Sequence, residues 1–91
     1  MMFMIDYSKE ENMKKSEARI IIWLSQVEPQ KRNVTGIAHG LDITYNYVSK
    51  QLSRMKYNKL IRPHRLQTRI FYSLTEHGKA HINKAKEELR E

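Results

Sequence analysis

The stretch "DITYNYVSKQLSRMKYNKLI", residues 42–61, decides how this chain is read. Val48, Leu52 and Met55 recur at i, i+4 and i+7, the spacing of one buried helix face, so a helix is expected over about residues 45 to 57. Thr44 is suited to cap its start, because a threonine hydroxyl accepts from the otherwise unpaired N–H groups of the first turn. Tyr45, Asn46 and Tyr47 then stand on the opening turn. Two aromatic rings and an amide in that place belong on a surface that meets something.

Upstream, "VTGIAHGLDIT" reads as a short helix capped by Thr35, with Ile37, Ala38 and Leu41 inward and Gly40 close to the turn. The two helices joined by "LDIT" form a helix-turn-helix. Further back, "KKSEARIIIWLSQVE" places Met13, Ile20, Leu24 and Val27 on one face, widened by Ile21 and Trp23, predicting a first helix over about residues 13 to 27 that Pro29 stops. A capping-box tetrad, "SKEE" at residues 8–11, allows an earlier start.

Downstream, "LIRPHRL" and "RIFYSL" are extended segments separated by "QT", expected as a two-stranded hairpin. Ile70, Tyr72 and Leu74 alternate onto its buried side, and Pro63 confines the first strand to an edge. Thr75 caps a final helix whose stripe of Ile82, Ala85 and Leu89 either seams two subunits or folds back on the first helix. The fold class expected is mainly α with one small hairpin, in the order α-α-α-β-β-α. Residues 1–12 form a lead-in, partly disordered or in contact with a dimer partner, 13–74 the core, and 75–91 a candidate dimerisation element.

Charge narrows the partner. Of the 17 basic and 10 acidic residues in the 91-residue chain, nine basic ones lie between residues 29 and 74 against the single acid Asp42. A positive field confined to the middle of a small domain attracts polyanions, nucleic acid before anionic membrane. With no cysteine, neither a disulfide nor a thiolate metal site is available. The opening "MMFMI" is too short for a signal peptide or a membrane span, so a soluble, cytoplasmic protein is expected. No glycine-rich phosphate loop or H-E-x-x-H motif is present, so no enzyme activity, cofactor or small-molecule ligand is assigned. His77 and His81 are spaced to share a helix face, yet two ligands do not make a site, and no metal is expected.

"ITYNYVSKQLSRMKYNKLI" and "RIFYSLTEHGKAHI", at this separation around a hairpin bearing proline and arginine, resemble the recognition helix and second wing strand of winged helix-turn-helix regulators of the MarR and ArsR type, known from bacteria, archaea and their viruses. The resemblance covers roughly residues 15 to 82. Lys59 stands where these families usually have glycine, so Asn58 is expected to supply the left-handed turn, and Gln67 replaces a frequent wing-tip acid while Arg69 matches the family's arginine. The resemblance implies sequence-specific binding of double-stranded DNA by a homodimer. In the major groove the helix would set Tyr45, Asn46, Tyr47, Ser49 and Lys50 against base edges, with Ser53 and Arg54 toward the backbone. Either tyrosine ring is alternatively a cover for the second helix or the wing. His64, Arg65, Gln67 and Arg69, with Arg62 nearer the core, would follow the phosphates or enter the minor groove. Lys31, Arg32 and Thr35 lie before or within the start of the second helix, whose N-terminus also suits a phosphate. The rival readings are a non-specific architectural DNA binder and a module that meets an acidic protein or RNA.

Overall fold

The aliphatic run at residues 20–22 and Leu24 lie in the first helix, α1 (Lys15–Gln26), of a computed structural model that describes residues 15–90. The expected lead-in at 1–12, the capping box at 8–11 and Met13 lie outside the described residues. Ala18, Ile20, Ile21 and Leu24 of α1 are buried, and they form the central rod of the core. A 3-10 turn at Pro29–Lys31 stops the chain, then α2 (Val34–Leu41) and α3 (Tyr45–Tyr57) follow. Two antiparallel strands, β1 (Ile61–Leu66) and β2 (Arg69–Leu74), precede α4 (Glu76–Ala80) and α5 (Ile82–Leu89). The order is that of a winged helix.

Ile37 of α2, Val48, Leu52 and Met55 of α3, Leu60, Ile61 and Ala85 close over the α1 rod. Each large aliphatic side chain so buried contributes about 1.5–3 kcal/mol, and together they hold a domain this small. Trp23 packs against α2, where a Cβ at Gly40 would come within 2.0 Å of the indole. Gly40 is thus required by close approach, at the last-but-one residue of the helix.

Every reversal in the chain is made without glycine. Positive φ occurs at Asp42 (58°), Lys59 (63°) and Gln67 (58°), and at no glycine, among the described residues. Asp42 ends α2, with the N–H of Ile43 returning 3.0 Å to the Ala38 carbonyl. The only acid of the basic middle segment is therefore a turn residue, a role its short polar side chain tolerates. Lys59, and not Asn58 as the sequence suggests, takes the left-handed position after α3; Asn58 stays at φ −84°. The reason is a Schellman closure: Lys59 N–H reaches Lys56 O at 3.0 Å and Leu60 N–H reaches Met55 O at 2.9 Å. That register puts Leu60 beside Met55 in the core, a contact that outweighs the strain at Lys59.

Of the three threonine caps expected from the sequence, Thr44 and Thr35 concern the two helices of the helix-turn-helix. The Thr44 hydroxyl accepts from Tyr47 N–H at 3.2 Å, as expected. α2 instead begins one residue before Thr35, capped by Asn33, whose side-chain oxygen accepts from Gly36 N–H at 2.7 Å. Asparagine is at least as good a cap as threonine, and its amide also donates to Gln30 O at 3.2 Å, tying the cap to the 3-10 turn.

The hairpin has a two-residue loop, with Leu66 opposite Arg69 and Gln67 holding the positive φ such loops call for. Tyr72 N–H points away from β1 and donates to Arg32 O at 2.7 Å. Its partner Pro63 is consequently in a non-hydrogen-bonded pair, where the missing N–H costs the ladder nothing. Tyr72 and Leu74 pack on the core, but Ile70 is 38% exposed because the strand has by then run past the end of the domain.

The last helix is broken at His81. Its N–H returns to Gly78 O at 3.0 Å, and its Nδ1 bonds the His77 carbonyl at 2.8 Å, the acceptor that a continuous α-helix would have given to that N–H. The stripe of Ile82, Ala85 and Leu89 folds back on α1 within the chain: Ala85 is fully buried, while Ile82 and Leu89 remain half-buried. Ala85, expected at a subunit seam, has no surface left to offer one.

Thr75 joins these parts. Its hydroxyl donates to Lys59 O at 2.6 Å and accepts from Gly78 N–H at 3.0 Å, and its own N–H donates to Leu60 O at 3.0 Å. A Cβ at Gly78 would lie 2.1 Å from Leu60 O, so only glycine admits this approach. Thr75→Val should cost about 2 kcal/mol by removing the cap and the bond to Lys59 together, read as a fall in denaturation midpoint. Lys59→Gly should stabilise by about 1 kcal/mol, raising Tm by about 4–8 °C.

Candidate nucleic-acid interface

With Val48, Gln51, Leu52 and Met55 buried, the opposite line of α3 runs through Asn46, Lys50, Ser53 and Tyr57 at i, i+4, i+7 and i+11. All four are exposed. Asn46, Tyr47, Ser49, Lys50 and Ser53 line one open depression, so the structure brings together most of the residues assigned to base contacts. Tyr45 lies on the other flank, in a shallow groove with Thr35, Ala38, His39, Asp42 and Ile43. The phenol of Tyr72 on β2 is pushed above its ordinary value by burial first and by the neighbouring Tyr45 phenol second. The front of α3 and the root of the wing therefore adjoin.

Tyr47 is on the flank toward α1. Its hydroxyl donates to Ser16 Oγ at 3.1 Å, and the side chain keeps 40% of its surface exposed. This tyrosine braces α3 against α1, a role distinct from the covering of the second helix or the wing. Ser49 is half-buried, and Arg54 is exposed one turn below Lys50. The sequence reading misses Tyr57 although it completes the outward line, and at 85% exposure it is the most open large hydrophobic residue among those described.

Arg32 is not a free cation. Its guanidinium donates twice to Val27 O, at 3.1 and 2.9 Å, satisfying a carbonyl beyond the end of α1, while its own carbonyl anchors β2. This structural use of its donors is one that the sequence does not announce. Lys31 is exposed and pairs loosely with Glu28 at 3.8 Å, a surface interaction of little energy. Thr35 is exposed in the first turn of α2 beside Tyr45.

The strand register sorts the wing into two faces. Ile61, Pro63 and Arg65 share one with Leu74, Tyr72 and Ile70; Arg62, His64 and Leu66 share the other with Ser73, Phe71 and Arg69. Arg65 thus continues the core-side face that adjoins Tyr45, and Arg69 lies on the far face with His64 and Arg62. His64 Nε2 and Ser73 Oγ are 2.8 Å apart across that face. No Asp or Glu occurs in the hairpin. His77 and His81 meet edge to face at 4.6 Å, and no group of three metal-ligating side chains exists among the described residues. No helix among them is long and apolar enough to cross a membrane.

No protein-family model and no curated protein sequence matches the chain. Solved structures do. AbsC, a MarR family transcriptional regulator from Streptomyces coelicolor, superposes with a TM-score of 0.71 at 23% identity over 82% of this chain and 53% of its own. A mutant of S. aureus MepR bound to an oligodeoxyribonucleotide gives 0.76 at 18% identity over 87% of this chain and 59% of its own. Lactococcus lactis ZitR in complex with DNA gives 0.70 at 20% identity over 85% and 53%. The chain spans 53 to 59% of the length of these proteins. The architecture assembled above from caps, core and hairpin is the winged-helix fold of MarR-family transcriptional regulators.

Proposed function

We propose that this chain is a sequence-specific double-stranded DNA-binding transcriptional regulator that acts as a homodimer in the cytoplasm. One observation carries the reading: the outward line of α3 is wholly exposed, polar and acid-free, and it adjoins a hairpin with three arginines and no acid. A major groove about 12 Å wide accepts such a helix, and Asn46 can pair with adenine while Lys50 suits guanine. Tyr45 would set its ring toward a thymine methyl or a phosphate, with Ser49 and Ser53 near sugar or backbone. Tyr47, held by Ser16, contributes its ring edge to the groove wall. Arg54, Lys31, His64, Arg65, Gln67 and Arg69 supply the ionic and polar contacts along the flanking phosphates or in the adjacent minor groove. That two proteins of this fold were solved with DNA supports the choice of partner.

Dimerisation rests on Ile82 and Leu89, whose half-buried edges on α5 are continuous with the α1 surface. Two recognition helices about 34 Å apart then require a near-palindromic operator.

Selection of bound duplexes from a random pool should return such an operator, and a pool that yields no preferred sequence would make the protein a non-specific binder. On the selected operator, Asn46→Ala should lose about 1–3 kcal/mol against the preferred base and relax choice at one position per half-site. Removing Arg65 and Arg69 together should weaken all duplexes alike and flatten the salt dependence by about two logarithmic units per subunit. Equal loss on every sequence for Asn46→Ala would remove that residue from base reading.

A further inference from the structure

The far end of the hairpin leaves two aliphatic side chains in water: Leu66 is 65% exposed and Ile70 is 38% exposed. They occupy its last two rungs, Leu66 opposite Arg69 and Ile70 opposite Arg65. Because successive rungs face opposite sides, each face of the tip carries one arginine beside one aliphatic group. The apex between them is Gln67 in the left-handed conformation, followed by Thr68.

Burial in the domain does not explain these residues. The hairpin leaves the core at the Pro63–Tyr72 rung, and three further rungs at about 3.4 Å carry Leu66 roughly 10 Å beyond it. A hairpin that lay only along phosphates would gain nothing from leucine and isoleucine where serine or lysine would stay solvated. The arginines restrict the occupant: with no acid in the hairpin, an acidic or polyanionic surface is favoured.

We propose that the wing tip is an apolar wedge held between two arginines, which enters the minor groove, inserts Leu66 against a base step and bends the duplex. This rests on the DNA-binding reading above and adds to it a deformation of the partner. The minor groove, about 6 Å wide, excludes a helix but admits a two-residue loop. Its negative potential receives Arg65 on one wall and Arg69 on the other, which accounts for their placement on opposite faces of the hairpin. Gln67 at the apex meets the acceptor row of the groove floor, and Leu66 unstacks the step beneath it, which kinks the duplex toward the major groove. Ile70, one rung back, covers the sugar edge beside Arg65. Specificity then has a second source, since pyrimidine–purine steps open most readily.

The test uses the full chain and a selected operator with dyes at its two ends, together with a 2-aminopurine at the step under the wing. The wild-type protein should bring the ends together by a bend of a few tens of degrees and raise the 2-aminopurine emission. Leu66→Ala, at a position outside the core, should keep its circular dichroism and its base preference at the α3 contacts. It should lose most of the bend and the emission, and about tenfold in affinity. Leu66→Met should retain all three. A bound operator that stays straight, or an alanine variant that bends it equally, overturns the wedge and leaves the regulator standing. A protein that binds no duplex overturns both.

Discussion

The relative placing of α3 and the hairpin depends on the hydroxyl and N–H of one threonine. Thr75 ties the left-handed residue after α3, the first core residue beyond it and the first turn of α4 into one knot, through Lys59 O, Leu60 O and Gly78 N–H. Without it, α3 and the hairpin would be two elements hinged at a strained lysine. With it, the angle between helix and wing is set by three short hydrogen bonds and by the absence of a side chain at Gly78. The motif Leu74-Thr75-x-x-Gly78 is therefore a joint, and its spacing follows from the cap geometry: the hydroxyl at position 75 must meet the N–H three residues on.

Around that joint the chain separates two jobs that glycine usually combines. Its three glycines allow close approach, at Lys31 O, Trp23 and Leu60 O, and all have negative φ, whereas the left-handed turns fall to Asp42, Lys59 and Gln67. Each of the three non-glycine turns costs about 1 kcal/mol or more of backbone strain. In return, the turns carry side chains at the boundaries of α2, α3 and the wing, all three of them exposed. Gln67 is the clearest instance, since a glycine there would close the same hairpin and present nothing at its apex.

Two groups that looked available for a partner are engaged within the domain. Arg32 closes the end of α1 with both bonds of its guanidinium, and Tyr47 leans on Ser16. With these two braced from within, what stands outermost is a straight line from Asn46 to Tyr57 and a wing whose arginines lie on both of its faces. The line and the root of the wing come together near Tyr45 and Tyr72, on the side of the hairpin that packs on the core. The positive field of the middle segment is thereby converted from a net charge into a shape.

The sequence by itself determined the elements and their inward faces, because both are written in short-range periodicity. Val48, Leu52 and Met55 required α3 to lie as it does, Thr44 marked its first turn, and the pair Gln67-Thr68 between two extended runs required a hairpin. Most of the site was legible for the same reason, since whatever lies opposite a buried stripe must face water. Tertiary structure alone decided the matters in which two distant residues compete for one partner. Asn33 took the cap from Thr35 because the 3-10 turn brought it into place, and Lys59 took the left-handed turn because Leu60 had to reach Met55. The C-terminal stripe folded onto α1 because Ala85 is small enough to fit against it, and the helix broke where His81 captured a carbonyl meant for its own N–H. Local spacing carries no record of such contests, whose outcomes depend on packing distances that exist only once the core has closed.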